Sequence, residues 1–394
     1  FEPLPGNLPR PLALRYHGHQ FQVYNPQLGD GRGFLFAQLE DGDGRLLDLA
    51  TKGSGQTPWS RGGDGRLTLK GGVREILATE MLEALGVPTS KTWSLFETGE
   101  KLHRNDEPSP TRSSVLVRLG HSHVRFGSFQ RHAFHRDRDR LRALLDYGLA
   151  SFAPELCHQG GAGATRAFLR LVVERTARLC AAWMAAGFVH GVLNSDNLNV
   201  TGESFDYGPW RFLPVFDPTF TAAYFDHSGL YAYGNQPAAV RWDLEQLALA
   251  LQPIAGGETL HVRVDFDQAF EAALDAEIVR RLGVRSRGPL FDRLLRTSVF
   301  RFLFDSKLGF ERFFFAAYGG RAGAGAAMVE DLAAYEPEDP DRRRHPYFAG
   351  DAPCTMLVDE VEALWEPIAQ RDDWAPLEAK LAQIRVMADA LRRA

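Results

Sequence analysis

The spacing of apolar residues changes period near residue 130, and this change restricts the chain to an α+β architecture with strands first and helices after. Ahead of it lie the short runs FQVY (21 to 24), GFLFAQL (33 to 39) and RLLDLAT (45 to 51). The turn sequences QLGDGRG and EDGDG separate them, which predicts a three-stranded meander. Residues 1 to 14 are Pro-rich and expected to be extended. Val73, Ile76, Leu77, Met81 and Leu85 then recur at helical spacing, closed by Gly86 and Pro88, before KTWSLFET and SSVLVRLG return to strand-like sequence. Beyond 130, Phe168, Leu171, Val172, Leu179 and Trp183 mark one face of a helix ending at Gly187, and further helices are expected at 238 to 252, 267 to 282, 289 to 316 and 354 to 394. GGRAGAGAA and EPEDPDRRRHPY read as flexible surface connections. The expected organisation is a small strand-rich lobe, residues 1 to 128, and a larger, mostly helical lobe, residues 129 to 394, forming one catalytic unit.

A chain of 394 residues, 44% of them hydrophobic, has enough apolar side chains for a large core. Its formal charge of −5, with both signs interspersed, supplies no basic field for nucleic acid, and no run of 18 apolar residues suggests a membrane span. Neither nucleic acid nor membrane is expected as a partner. Cys157, Cys180 and Cys354 are widely spaced and too few for a disulfide framework, which fits a reducing, cytoplasmic location. Cys180 falls beside the apolar stripe of its helix and reads as core packing. The first residue is Phe1, so an organelle address upstream of it stays compatible with the sequence.

The chemistry-bearing residues come in a fixed order. HGVLNSDNLNV occupies 190 to 200 and DYG follows at 206 to 208. Protein kinases carry His-Arg-Asp, four residues and then Asn, followed by Asp-Phe-Gly, with the first Asp as base and the Asn and last Asp on magnesium. With His190 on the kinase His, Asn197 takes the metal-binding Asn and Asp206 the last Asp, but the base position holds Val192. Earlier, Lys52 ends a strand and Glu75 lies on the following helix, as in the kinase pair that holds phosphate. LGDGRG, with Gly29, Gly31 and Gly33, lets backbone N–H groups approach phosphate, although taken alone it is an ordinary hairpin turn. Lys52 and Glu75 taken singly would be surface charges, and Asp206 a turn former; the shared order favours the site reading. Asn197 and Asp206 are oxygen donors suited to Mg²⁺ held jointly with substrate phosphates. Arg118 and Arg125, in VRLGHSHVRFGSF, carry the planar fork that suits phosphate, with plain surface charge as the competing reading. The histidine sets HGH (17 to 19), HSH (121 to 123) and HAFH (132 to 135) have ligand-like spacings without companion cysteines, so zinc is set aside.

Taken together, these residues resemble the selenoprotein O family of kinase-fold proteins long described as pseudokinases. The matching stretches are YHGHQF (16 to 21), NPQLGDGRG (25 to 33), KGSGQTPWSRGGDGR (52 to 66), VREIL (73 to 77), HVRFGSF (123 to 129), HGVLNSDN (190 to 197), DYGP (206 to 209) and YAYGNQP (231 to 237), the last followed by Trp242 and Leu244. They are long, in family order, and run from about residue 11 to about residue 250, with a weaker likeness beyond. The resemblance implies a two-lobed protein-kinase-like fold and protein adenylylation. ATP would bind end for end relative to kinases, Mg²⁺ or Mn²⁺ would be the cofactor, and AMP would pass to Ser, Thr or Tyr hydroxyls of protein substrates. By the same resemblance Gly29, Gly31, Arg32, Lys52, Asp64, Gly65, Arg118, Arg125 and Asp206 bind the nucleotide, Glu75 partners Lys52, and Asn197 and Asp206 hold the metal. Asp196 becomes the proton acceptor that Val192 cannot be. Transfer at phosphorus depends chiefly on positioning and charge stabilisation, so a shifted carboxylate can suffice.

Two departures stand out: Gln22 occupies a place where the family usually has Gly, and family members often end in a cysteine or selenocysteine where this sequence ends MADALRRA. The alternative reading is a catalytically inactive, nucleotide-binding pseudokinase that acts as an interaction module, motivated by Val192. Ordinary phosphorylation lacks its base and leaves the two arginines unexplained.

Overall fold

The first third of the chain builds a six-stranded antiparallel sheet. The computed structural model describes residues 6–105, 107–321 and 328–392. Its first elements are β1 (Asn7–Leu12), β2 (Gly18–Gln20), β3 (Val23–Asn25), β4 (Leu35–Glu40), β5 (Leu46–Lys52), β6 (Leu67–Thr68), α1 (Leu69–Ala84), β7 (Lys91–Leu102) and β8 (Thr111–Gly120). The sheet runs β1-β4-β5-β8-β6, and β7 also pairs with β8. The register sets Lys52, the last residue of β5, opposite Leu116, and Ala50 opposite Arg118.

The expected meander is corrected at its first strand. FQVY does not join the sheet, because Phe21 and Gln22 take left-handed φ values of 49° and 61° and form the turn of a separate hairpin between β2 and β3. Its place beside β4 is taken by β1, whose prolines suit an edge strand that need not donate on its outer side. The first five residues of the segment expected to be extended lie outside the described residues.

Helix α1 starts where Thr68 Oγ1 accepts from Gly71 N at 3.1 Å, and it buries Val73, Leu77, Met81 and Leu82. The rest of the chain is mainly helical: α2 (Phe126–Phe134), α3 (Arg138–Phe152), α4 (Gly161–Ala185), α5 (Gln236–Leu251), α6 (Arg263–Arg281), α7 (Pro289–Ser306), α8 (Phe310–Ala317), α9 (Val329–Ala333), α10 (Val358–Arg371) and α11 (Ala375–Leu391). Two short strands, β9 (Phe188–Val189) and β10 (Arg211–Phe212), pair around the HGVLNSDN loop. The spans expected as single helices at 289 to 316 and 354 to 394 each break in two, where Lys307 and Asp372 adopt left-handed φ values of 51° and 55°. Of GGRAGAGAA, residues 322 to 327 lie outside the described residues. EPEDPDRRRHPY is anchored rather than free: Arg343 donates to Phe315 O at 2.8 Å and lies 4.7 Å over the Phe348 ring.

One apolar core joins the two compositional halves. Leu77 of α1, Phe126 and Phe129 of α2, Phe168, Cys180 and Trp183 of α4, Val240 of α5 and Ile368 of α10 belong to it. The expected division after residue 128 falls within α2, and the last two helices return to the strand-rich part. Lys70 pairs with Glu362 at 2.7 Å, while Arg112 meets Asp372 at 2.7 Å and donates to Ile368 O at 2.9 Å. Among the described residues no helix is long and apolar enough to cross a membrane.

Candidate nucleotide site

A cleft of about 890 Å³ opens where the sheet meets the helical part. It gathers Gly29, Gly31, Arg32, Lys52, Asp64, Gly65, Arg118, Arg125, Asp196, Asn197 and Asp206, drawn from six separate stretches of sequence. Glu75, the remaining residue expected in the site, lies behind Lys52 and outside the lining. Seven Lys and Arg against four Asp line the cleft, so a chain of net negative charge presents a locally positive cavity.

The rear of the cleft is organised by Asp206, whose φ of 58° turns the backbone so that both carboxylate oxygens meet cations. Oδ1 lies 2.5 Å from Nη1 of Arg118 and 3.2 Å from Nζ of Lys52, and Oδ2 accepts from Nη1 of Arg125 at 2.8 Å. Burial alone would raise the Asp206 carboxyl, but the charges of Arg118, Lys52 and Arg125 outweigh it and hold the group well below the usual carboxylate range. Lys52 is tied in turn to Glu75 Oε1 at 2.5 Å. Arg125 is packed between the rings of Tyr16 and Phe205, 4.6 and 4.8 Å from their centroids, and also donates to the main-chain oxygen of Asp196 at 2.7 Å.

Asp196 sits in a single 3-10 turn, Ser195–Asn197. Burial pushes its carboxyl up to about 6 against the pull of Arg125, and its Oδ1 is buried without a hydrogen-bond partner among the described residues. Asn197 donates to Val192 O at 2.9 Å, which orients its amide on the cleft wall. The loop is braced from afar. His19 N donates to Ser195 Oγ at 2.8 Å, Phe21 N to Asn194 Oδ1 at 3.1 Å, and Tyr231 OH to the same Asn194 oxygen at 2.8 Å. Gln236 Oε1 accepts from His190 N at 3.0 Å. YHGHQF and YAYGNQP therefore act as braces of the HGVLNSDN loop, a role that sequence reasoning did not assign. Gly18 of that first motif lets the hairpin come close, since a Cβ there would lie 3.1 Å from Asp196 Oδ1.

The glycine-rich turn is packed more tightly than its composition suggests. A Cβ on Gly29 would stand 2.4 Å from the Trp59 ring and one on Gly33 2.0 Å from Thr51 O, so Gly29 admits the Trp59 side chain and Gly33 the Thr51 backbone, besides lining the cleft. Also on the cleft wall, Asp64 takes a two-pronged contact from Arg104 at 2.8 and 3.0 Å, and Gly65 needs its φ of 71°. Tyr16 and Asp30 also line the cleft and contact Arg125. Neither was expected, although Asp30 stands inside the LGDGRG turn.

The family model described as protein adenylyltransferase SelO matches residues 6–320. A protein nucleotidyltransferase YdiU of Gloeobacter violaceus is 46% identical over 400 aligned residues, covering 95% of this chain and 82% of that protein. The counterpart in Synechocystis sp. is 53% identical over 285 residues, 72% of this chain and 59% of its own, and that in Synechococcus elongatus is 44% identical over 409 residues, 95% and 82%. The likeness thus continues well past residue 250, where legible motifs end, through the helices α6 to α8. The chain belongs to the SelO family of protein adenylyltransferases and is a nucleotidyltransferase.

Proposed function

We propose that the chain transfers AMP from ATP to Ser, Thr or Tyr hydroxyls of proteins, with the nucleotide bound end for end relative to protein kinases, in a two-lobed kinase-like fold whose lobes meet near residue 128. The observation that carries this reading is the set of three cations on one carboxylate. A kinase needs the pair formed by Lys52 and Glu75, whereas Arg118 and Arg125 are additional and are buried beside Asp206 in the cleft wall. Two arginines there suit the terminal phosphates of an inverted nucleotide, which brings the α-phosphate toward Asp196.

In this reading the acceptor oxygen attacks the α-phosphorus as its proton passes to the Asp196 carboxylate, the bond to the β-phosphate oxygen breaks, and pyrophosphate leaves against Arg118, Arg125 and Lys52. The unpartnered Oδ1 of Asp196 is the atom suited to take that proton. Gly29, Gly31, Arg32, Asp64 and Gly65, which line the same cleft, would flank the nucleotide. Among the described residues no three His, Cys, Asp or Glu cluster as a metal site. Asn197, whose amide nitrogen donates to Val192 O, and Asp206 share the cleft wall and would hold a Mg²⁺ or Mn²⁺ ion together with phosphate and water, as magnesium is commonly held. Such an ion would supply charge neutralisation on the phosphates.

The test is incubation with metal and ATP labelled at either the α- or the γ-phosphate, in the presence of protein substrates. Protein-bound α label without γ label is expected, falling at least about a thousandfold in Asp206→Ala. Label from γ alone would restore the kinase reading. Neither label, with ATP still bound, would favour an interaction module, the reading that Val192 at the kinase base position motivates.

A further inference from the structure

Asp30 has no part in the reaction just described, yet its carboxylate reaches the rear of the cleft. Oδ1 accepts from Nη2 of Arg125 at 3.2 Å and Oδ2 accepts from Leu14 N at 3.0 Å. Its main chain is pinned as well, with N–H donating to Leu14 O at 2.9 Å and the carbonyl accepting from Thr57 Oγ1 at 2.6 Å. The carboxylate is therefore held on the Gly29 to Gly33 turn at a fixed distance from the arginine. Arg125 has little freedom of its own, being clasped by two rings and a main-chain carbonyl. Only its two carboxylate contacts can be redistributed. Lys52, Arg118 and Arg125 stand against Glu75, Asp206 and Asp30 through direct ion pairs, with the Asp196 carboxyl buried close by.

We propose that Asp30 is a positioning residue that shares Arg125 with Asp206, so that the Asp206 carboxylate can exchange its arginine contacts for a divalent cation arriving with the nucleotide. The inference rests on the nucleotide site proposed above. Removing the Asp30 charge leaves Arg125 to Asp206 alone and the cleft one charge more positive. Nucleotide without metal then binds more tightly, while metal competes less well for Asp206. A residue that merely braced the turn would weaken both when lost, so the two roles differ in sign.

The experiment compares Asp30→Asn, in which the side-chain oxygen can still accept from Leu14 N, with the parent. Calorimetry with ATP in the presence of a chelator reads the first affinity, and titration of Mg²⁺ into the protein–ATP mixture reads the second. Metal-free ATP should bind about fivefold more tightly and half-saturation by Mg²⁺ should need about tenfold more ion. Asp30→Glu should move both values back toward the parent, and an unchanged melting midpoint identifies the folded variant. Asp30→Ala, which also loses the Leu14 contact, should keep the same signs. If both affinities fall together, or neither moves more than about twofold, the sharing role is wrong. Should the parent bind ATP yet transfer no α label, the reaction assigned above fails while these affinities still decide the role of Asp30.

Discussion

Glu311 and Asp206 are both largely buried carboxylates, and they are partnered in opposite proportions. Glu311, on α8, meets Arg281 of α6 at 2.6 Å; that guanidinium lies 4.5 Å over the Phe314 ring and its Nε donates to Ala185 O at 3.3 Å. One carboxylate, one cation, an aromatic face and a carbonyl close the set inside the helical core. Asp206 meets three cations on the wall of a cleft. A buried pair in balance works as a clamp between elements, because either member alone would be an uncompensated charge. A carboxylate with surplus cations at a cavity marks a place where an anion can be received with little rearrangement. Arg281→Met should therefore cost about 3–5 kcal/mol in urea unfolding and leave AMP transfer per folded molecule unchanged. A loss of transfer at constant folded fraction would remove the distinction.

Arg118→Met should show the reverse pattern. Asp206 keeps Lys52 and Arg125, so the loss of stability should stay below that of Arg281→Met, whereas transfer of the α label should fall about a hundredfold through lost charge stabilisation. If Arg118→Met unfolds the chain as readily as Arg281→Met, the cluster around Asp206 is structural and the nucleotide reading of the arginines is broken.

How far the sequence exposed these two regions follows from how each is built. That Lys52, Glu75, Asn197 and Asp206 come together was legible because the order of the motifs ties particular residue types to particular local elements. The two arginines were legible as a pair, whereas the contact that both make with Asp206 was not. The braces were not: the contacts from His19 and Phe21 to the HGVLNSDN loop use backbone N–H groups, which every residue except proline carries, across separations of 176 and 173 residues. Nor was the clamp of Arg281 on Glu311, where an arginine in the last turn of a helix reads as ordinary surface charge until the fold buries it. Helix ends at Lys307 and Asp372 were missed for a related reason, since left-handed backbone at residues other than glycine leaves no composition signal.

Glu203 extends the comparison to a buried carboxyl that no Lys or Arg among the described residues is paired with. Its Oε2 accepts from His121 N at 2.8 Å and its Oε1 lies 3.3 Å from His121 Nε2. Burial pushes Glu203 up to about 7 and holds His121 below its ordinary value, which favours the neutral ring. From the ordinary glutamate value of 4.5 up to about 7, the folded chain keeps a proton that the unfolded chain releases, so this group's contribution to stability falls as pH rises through that window. Glu203→Gln removes the titration while retaining an acceptor for His121 N. The variant should match the parent near pH 4.5 and exceed it by about 2 kcal/mol at pH 8 in denaturant unfolding. An equal difference at both pH values would show that Glu203 is already compensated and belongs with Glu311.

The smallest effect should come from a change that alters no charge. Gln22 holds φ at 61° beside Phe21 at 49° in the turn of the β2 and β3 hairpin, a geometry that a side chain with a Cβ adopts at a cost of roughly 1–2 kcal/mol. Glycine relieves that cost but gives up part of it again to the unfolded chain, where it is freer, leaving a net gain of about 0.5 kcal/mol for Gln22→Gly. The hairpin touches the HGVLNSDN loop through Phe21 N and His19 N, not through the Gln22 side chain. Half-saturation by Mg²⁺ and the transfer rate should therefore stay within about twofold of the parent. If the rate instead falls tenfold with stability intact, the strained turn itself tunes the position of Asp196. The cleft would then depend on backbone strain as well as on the surplus of cations around Asp206.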